Sequence, residues 1–173
     1  MYKHNNNKTA VASQNMIACA LFELMGTKPF ADISVTEICD QAGVGRKTFY
    51  RNFETKEDVL DFRFEQLYKT FRENISAVSP DRKLYIYLEF IKEHTDKFIL
   101  MYKNNLDEYT SEKFIGLMPQ VMPVWSENDT VQQYISRYIV AGIKSVVRVW
   151  VERGFEETTD EIVALTEKLI NHR

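Results

Sequence analysis

Arg46, Lys47 and Thr48 follow one another directly after the small, turn-forming stretch Ala42-Gly43-Val44-Gly45. A guanidinium, an ammonium and a hydroxyl in a row are recognition groups. Arg and Lys donate to the O6 and N7 acceptors of guanine, and Thr bonds a base edge or touches a thymine methyl. Thr36, Tyr50, Asn52 and Lys56 stand around them, and with the backbone amide of Gly45 they supply the hydroxyl, amide and ammonium types that donate to backbone phosphates. These eight residues, Thr36, Gly45, Arg46, Lys47, Thr48, Tyr50, Asn52 and Lys56, are the candidate DNA contacts.

The chain of 173 residues carries a formal net charge of −3, which by itself disfavours a polyanionic partner. The distribution answers this. Through residue 56 there are seven basic residues against five acidic ones, and the remainder has 15 against 20. Between Arg46 and Lys56, four cations are opposed only by Glu54.

Other chemistries find little support. No nucleophile–base spacing, carboxylate–histidine run or phosphate loop is visible, so no catalytic residues and no cofactor are expected. His4, His94 and His172 are far apart and lack a partner at ligand spacing, which argues against a metal site. Cys19 and Cys39 fall in predicted helices without CxxC spacing and read as small core residues. No apolar run approaches the roughly 20 residues that span a bilayer, and the opening MYKHNNNK lacks the hydrophobic stretch of a signal peptide. The expected location is cytoplasmic, with no membrane partner.

The elements that must hold the cationic segment are helical. Apolar residues make up 45% of the chain and Gly plus Pro only ten residues, too few for the many turns of a sandwich or barrel. A first helix is predicted from about Thr9 to Met25, ended by Gly26 and Pro29. Ser34-Val35-Thr36-Glu37 reads as a capping box opening a short helix through Ala42. Gly43 supplies the positive φ of a tight turn, Val44 plugs the angle beneath it, and Gly45 caps a second short helix through Arg51. Cys39, Gly43 and Phe49 then give the small residue, turn glycine and buried apolar residue that two crossing helices need.

Beyond this, Thr55-Lys56-Glu57-Asp58 starts a long helix striped by Leu60, Phe64, Leu67, Phe71 and Ile75, and Ser79-Pro80-Asp81 breaks it. One helix is expected from there to about Lys103, followed by a polar connector to Thr110. A helical stretch over Ser111 to Trp125 is interrupted by Pro119 and Pro123. A long helix over 130 to 153, stopped by Gly154, and a last one capped by Thr158-Thr159-Asp160-Glu161 complete the pattern.

The stretch from Ile38 to Leu60 resembles the DNA-binding domain of the tetracycline-repressor (TetR) family. It carries the Ala-Gly-Val turn, the Thr48-Phe49-Tyr50 core of the second helix, and Phe53 followed by Lys56-Glu57. Ala20, Phe22, Gly26 and Ile33 also fall where that family keeps its first helix and loop. The likeness covers roughly residues 10 to 60. Three positions depart from it: Gly45 stands for a usual Ser, Asn52 for His or Tyr, and Cys39 for Ala. The C-terminal stretch with Trp150, Gly154 and the capped last helix is similar to the subgroup that includes dihydroxyacetone-kinase operon regulators.

The resemblance implies an all-α fold: a three-helix helix-turn-helix DNA-binding domain over residues 1–55, then a helical effector-binding and dimerisation bundle over 56–173. It implies a sequence-specific transcriptional regulator, expected to be a ligand-responsive repressor that reads a palindromic operator in double-stranded DNA as a homodimer through the last two helices. An effector, if there is one, is expected against the aromatic and Met-rich set Tyr87, Phe90, His94, Met101, Phe114, Met118, Met122, Trp125 and Tyr138. The alternative is a co-regulator with a degenerate helix-turn-helix that never touches DNA.

Overall fold

A computed structural model describes residues 8–75, 78–121 and 126–170 of the chain. Nine α-helices and no strand occur among the described residues. The chain divides into two compact units, one up to Thr70 and one from Phe71.

In the first unit, α1 (Lys8–Met25), α2 (Val35–Ala42) and α3 (Arg46–Asn52) lead into α4 (Lys56–Ile75), within which the boundary between the units falls. Ile17, Ala18, Leu21 and Met25 recur at helical spacing on α1 and are buried, joined by Ile38 and Cys39 of α2 and Phe49 of α3. Cys39 takes the small core position expected of it, whereas Cys19 lies exposed on the outer side of α1. The capping box forms as the sequence predicts: the Ser34 hydroxyl accepts from the Glu37 amide at 3.2 Å, and the Glu37 carboxylate accepts from the Ser34 amide at 2.9 Å. At the far end of α2, Gly43 adopts φ 65°, and the Val44 amide donates to Cys39 O at 3.0 Å, closing the helix with a left-handed turn.

The second unit holds α5 (Lys83–Glu93), α6 (Thr95–Lys103), α7 (Asp107–Val121), α8 (Asp129–Glu152) and α9 (Thr159–Ile170). Where the sequence suggests one helix up to Lys103, there are two. His94 takes φ −116° and ψ 20°, and the Ile91 carbonyl accepts from both the His94 amide and the Thr95 hydroxyl. The same i−4 hydroxyl bond is made by Ser13, Ser145 and Thr166 inside unbroken helices, so it accompanies the break at His94, which no Gly or Pro marks. The connector is also shorter than expected. Asn105 turns the chain with φ 57°, the Leu106 amide donates to Met101 O at 3.0 Å, and α7 begins at Asp107 and runs through Pro119.

At the C-terminal end, Gly154 and Phe155 both have positive φ, 69° and 61°. The turn lets the Trp150 indole N–H reach Glu157 O at 2.8 Å while its ring meets Phe155 edge-on. Thr158 and Glu161 then form a reciprocal cap on α9. No helix among the described residues is long and apolar enough to cross a membrane.

Candidate nucleic-acid interface and effector cavity

The α2–turn–α3 arrangement rests on Phe49. Its ring is fully buried and lies 5.9 Å from that of Phe53, which meets Phe62 of α4 edge-on at 5.6 Å. Burying a Phe side chain contributes about 1.5–3 kcal/mol, enough to fix one rotational setting for so short a helix. With Phe49 inward, helical periodicity turns Arg46, Lys47 and Tyr50 outward. All three are exposed, as are Gly45 and Thr36, and Thr48 is half-buried. The Arg46 guanidinium carbon sits 6.0 Å from the Tyr50 ring centroid, so cation and phenol form one surface. Gly45 has φ −75° and open space where a Cβ would stand, and as the residue that opens α3 it stands where backbone amides have no partner within the helix.

Asn52 and Lys56 are placed differently. Asn52 is 2% exposed, and its side-chain amide donates to Thr48 O at 2.8 Å within α3. The Lys56 ammonium donates to three carbonyls, Phe30 at 2.6 Å, Ala31 at 3.0 Å and Ile33 at 2.9 Å, and lies 4.5 Å from the centre of the Phe30 ring. An ammonium has three protons, and each has an acceptor here. Both side chains therefore hold the unit together rather than project from it. Sequence spacing alone does not reveal this, because the three carbonyls belong to a loop more than 20 residues upstream.

Glu37 has two tasks, since it caps α2 and pairs with Lys28. The Lys28 ammonium, followed by the Ser34 backbone and hydroxyl bonds, holds its carboxyl down at about 2.

The second unit holds a partly open cavity of about 520 Å³ lined by α5, α6, α7 and α8, in the size range of small-molecule sites. Of the sequence candidates, Tyr87 and Phe114 line it, with rings edge-on at 5.5 Å. Burial pushes the Tyr87 phenol far above its ordinary pKa, so its hydroxyl stays neutral. Phe90 and Met101 are buried, and the His94 ring packs edge-on against Phe90 at 4.9 Å. Burial, with Lys97 adding to it, lowers the pKa of His94. Tyr138 stands 73% exposed on α8. Met122 and Trp125 lie outside the described residues, as does the Met118 side chain.

Sequence reading missed the α8 wall, Val140, Ile143, Val147 and Val151, with Lys144 and Arg148 among them. The signal was present as a second apolar edge at i+3 and i+4 spacing, masked by the aromatic residues chosen elsewhere.

A family model described as "Bacterial regulatory proteins, tetR family" matches residues 18–61, and one described as "Transcriptional regulator C-terminal region" matches residues 79–172. The chain is 25% identical over 171 residues to the HTH-type dhaKLM operon transcriptional activator DhaS of Lactococcus lactis subsp. lactis (strain IL1403), covering 92% of this chain and 91% of that protein. Among solved structures, the dihydroxyacetone kinase operon activator DhaS superposes with a TM-score of 0.58 at 24% identity, over 94% of this chain and 98% of that one.

Proposed function

Because the chain belongs to the TetR family of transcriptional regulators, we propose that it acts as a homodimer that reads a palindromic operator through α3 and answers to a small-molecule effector in its second unit. The observation that carries the DNA-reading surface is Phe49 buried beneath exposed Arg46 and Lys47. Phosphate contacts fall to Thr36, the Gly45 amide and Tyr50, with Thr48 at the base edge. Asn52 and Lys56 serve this surface by fixing α3 and the loop before α2.

The dimer reading is supported by the outer face of the last two helices. Val131, Tyr134, Tyr138 and Val149 of α8 are all exposed, spaced so that they share one stripe, and Leu165 and Leu169 are exposed one turn apart on α9. Exposed Ala141, Gly142 and Ser145 in the middle of the α8 stripe leave room for close approach of a second helix. A two-fold dimer presents two copies of α3, which is what an operator with inverted half-sites requires.

Repression by occupying the operator is the simplest mode for such a dimer. Activation is the second reading, favoured by the relative named as an activator of the dhaKLM operon. A promoter–reporter strain with and without this protein separates the two by the sign of the change.

The test of DNA reading is retention of genomic fragments, followed by gel shift on the recovered site. The double variant Arg46→Ala, Lys47→Ala is expected to lose specific binding while its circular dichroism and sedimentation stay native. Unaltered affinity for the recovered site refutes the assignment.

A further inference from the structure

Resting on the effector reading above, we infer that the cavity of the second unit takes an amphipathic small molecule with an apolar body and a single hydrogen-bond-accepting end, and not a small polyol. The inner wall is built from Ile91, Phe98, Phe114, Val140 and Ile143. Two polar side chains of the lining have partners within the protein: the Thr95 hydroxyl donates to Ile91 O at 3.0 Å, and the Lys144 ammonium donates to the Ser111 hydroxyl at 3.2 Å. A polyhydroxylated ligand placed there would exchange water for apolar surface at most of its hydroxyls, which is unfavourable. An apolar body gains by the same exchange.

The polar end belongs at the rim, where Tyr102, Arg148 and Glu152 are exposed. The Arg148 guanidinium carbon stacks 4.7 Å from the Tyr102 ring centre and its Nε donates to Glu152 at 3.0 Å. Arg148 also hydrogen-bonds Tyr102, and with five N–H donors the guanidinium keeps others for a carboxylate or carbonyl. The rings of Phe98, Phe114 and Tyr87 stand 5.5 Å apart in succession, and Tyr87 lies 6.0 Å from Phe71, which belongs to α4. Phe98, Phe114, Tyr87 and Phe71 thus make one succession of ring contacts from the cavity to the C-terminal end of α4.

The experiment uses the full chain. Anilinonaphthalenesulfonate, which has an apolar body and one anionic end, is bound and followed by fluorescence, then displaced by decanoate, by decanol, or by dihydroxyacetone. Decanoate is expected to displace it, decanol at least about tenfold more weakly, and dihydroxyacetone not at all. Val147→Phe, which fills the cavity, should weaken both apolar competitors. Arg148→Gln, an exposed change that keeps the fold, should weaken decanoate alone by about tenfold. Displacement by dihydroxyacetone as good as that by decanoate, or native decanoate affinity in both variants, overturns the inference. Gel shift of the ligand-free protein is run alongside. Retained DNA with no decanoate binding defeats the ligand class alone, and loss of DNA binding defeats the regulator reading on which it rests.

Discussion

The Lys56 ammonium lies 2.6 Å from the carbonyl oxygen of Phe30 and 4.5 Å from the centre of the same residue's ring. The side chain that opens α4 thereby ties down the loop before α2, and with Ala31 O and Ile33 O it closes that loop over three acceptors. Hydrogen bonds to a charged donor contribute about 1.5–3 kcal/mol where they are sheltered from water. In a unit of this size, that decides whether α2 and α3 keep their setting.

Lys56→Met should therefore lower stability by about 1–3 kcal/mol and weaken DNA binding without changing its dependence on salt. Lys47→Ala should leave stability within about 0.5 kcal/mol and, as the loss of a base contact, cost about 1–3 kcal/mol of operator affinity. Urea unfolding and a salt series on a single operator fragment measure both. A salt slope reduced by Lys56→Met would place its ammonium on a phosphate instead.

Glu37 predicts an acid-sensitive reading head. Its carboxyl falls from an ordinary 4.5 to about 2 through the Lys28 pair and the Ser34 bonds. A folded-state pKa below the unfolded one means that the stabilisation is fully present above pH 4.5 and is lost as pH falls toward 2. Thermal unfolding from pH 6 to pH 2 should show this loss, and Glu37→Gln should flatten that part of the profile because its side chain does not titrate. A profile identical in the two proteins removes Glu37 from the account.

Gly45→Ser should be accepted and mildly stabilising. The residue is extended, with φ −75°, and a Cβ meets nothing within 4 Å. A Ser hydroxyl there caps α3 and is worth a few tenths of a kcal/mol over Gly. It also adds a donor at the helix start, and operator affinity is expected to rise several-fold, the effect of one net hydrogen bond.

Tyr134→Glu with Tyr138→Glu should give a folded monomer. The two side chains are 74% and 73% exposed in the isolated chain, so their replacement leaves the core intact. Burying two carboxylates in a paired helix face should weaken the dimer by at least about a hundredfold, read by sedimentation equilibrium. An unchanged association constant would move the dimer to another surface.

The sequence by itself determined the reading head almost completely. Ser34 and Glu37, Gly43, and Phe49 act within a few residues of one another, and caps, turns and helical periodicity are local physics that short-range spacing reports. It also marked the starts of α4 and α9, which carry the same reciprocal caps. The tertiary structure decided what depends on partners distant along the chain. It directed Lys56 onto carbonyls from residues 30, 31 and 33, and split the expected helix at His94, where no Gly or Pro stands. It also chose which apolar edge of α8 faces the cavity and which faces outward with Tyr134 and Tyr138. An α-helix striped on two sides states that both are apolar; only the packing of its neighbours settles which one is covered.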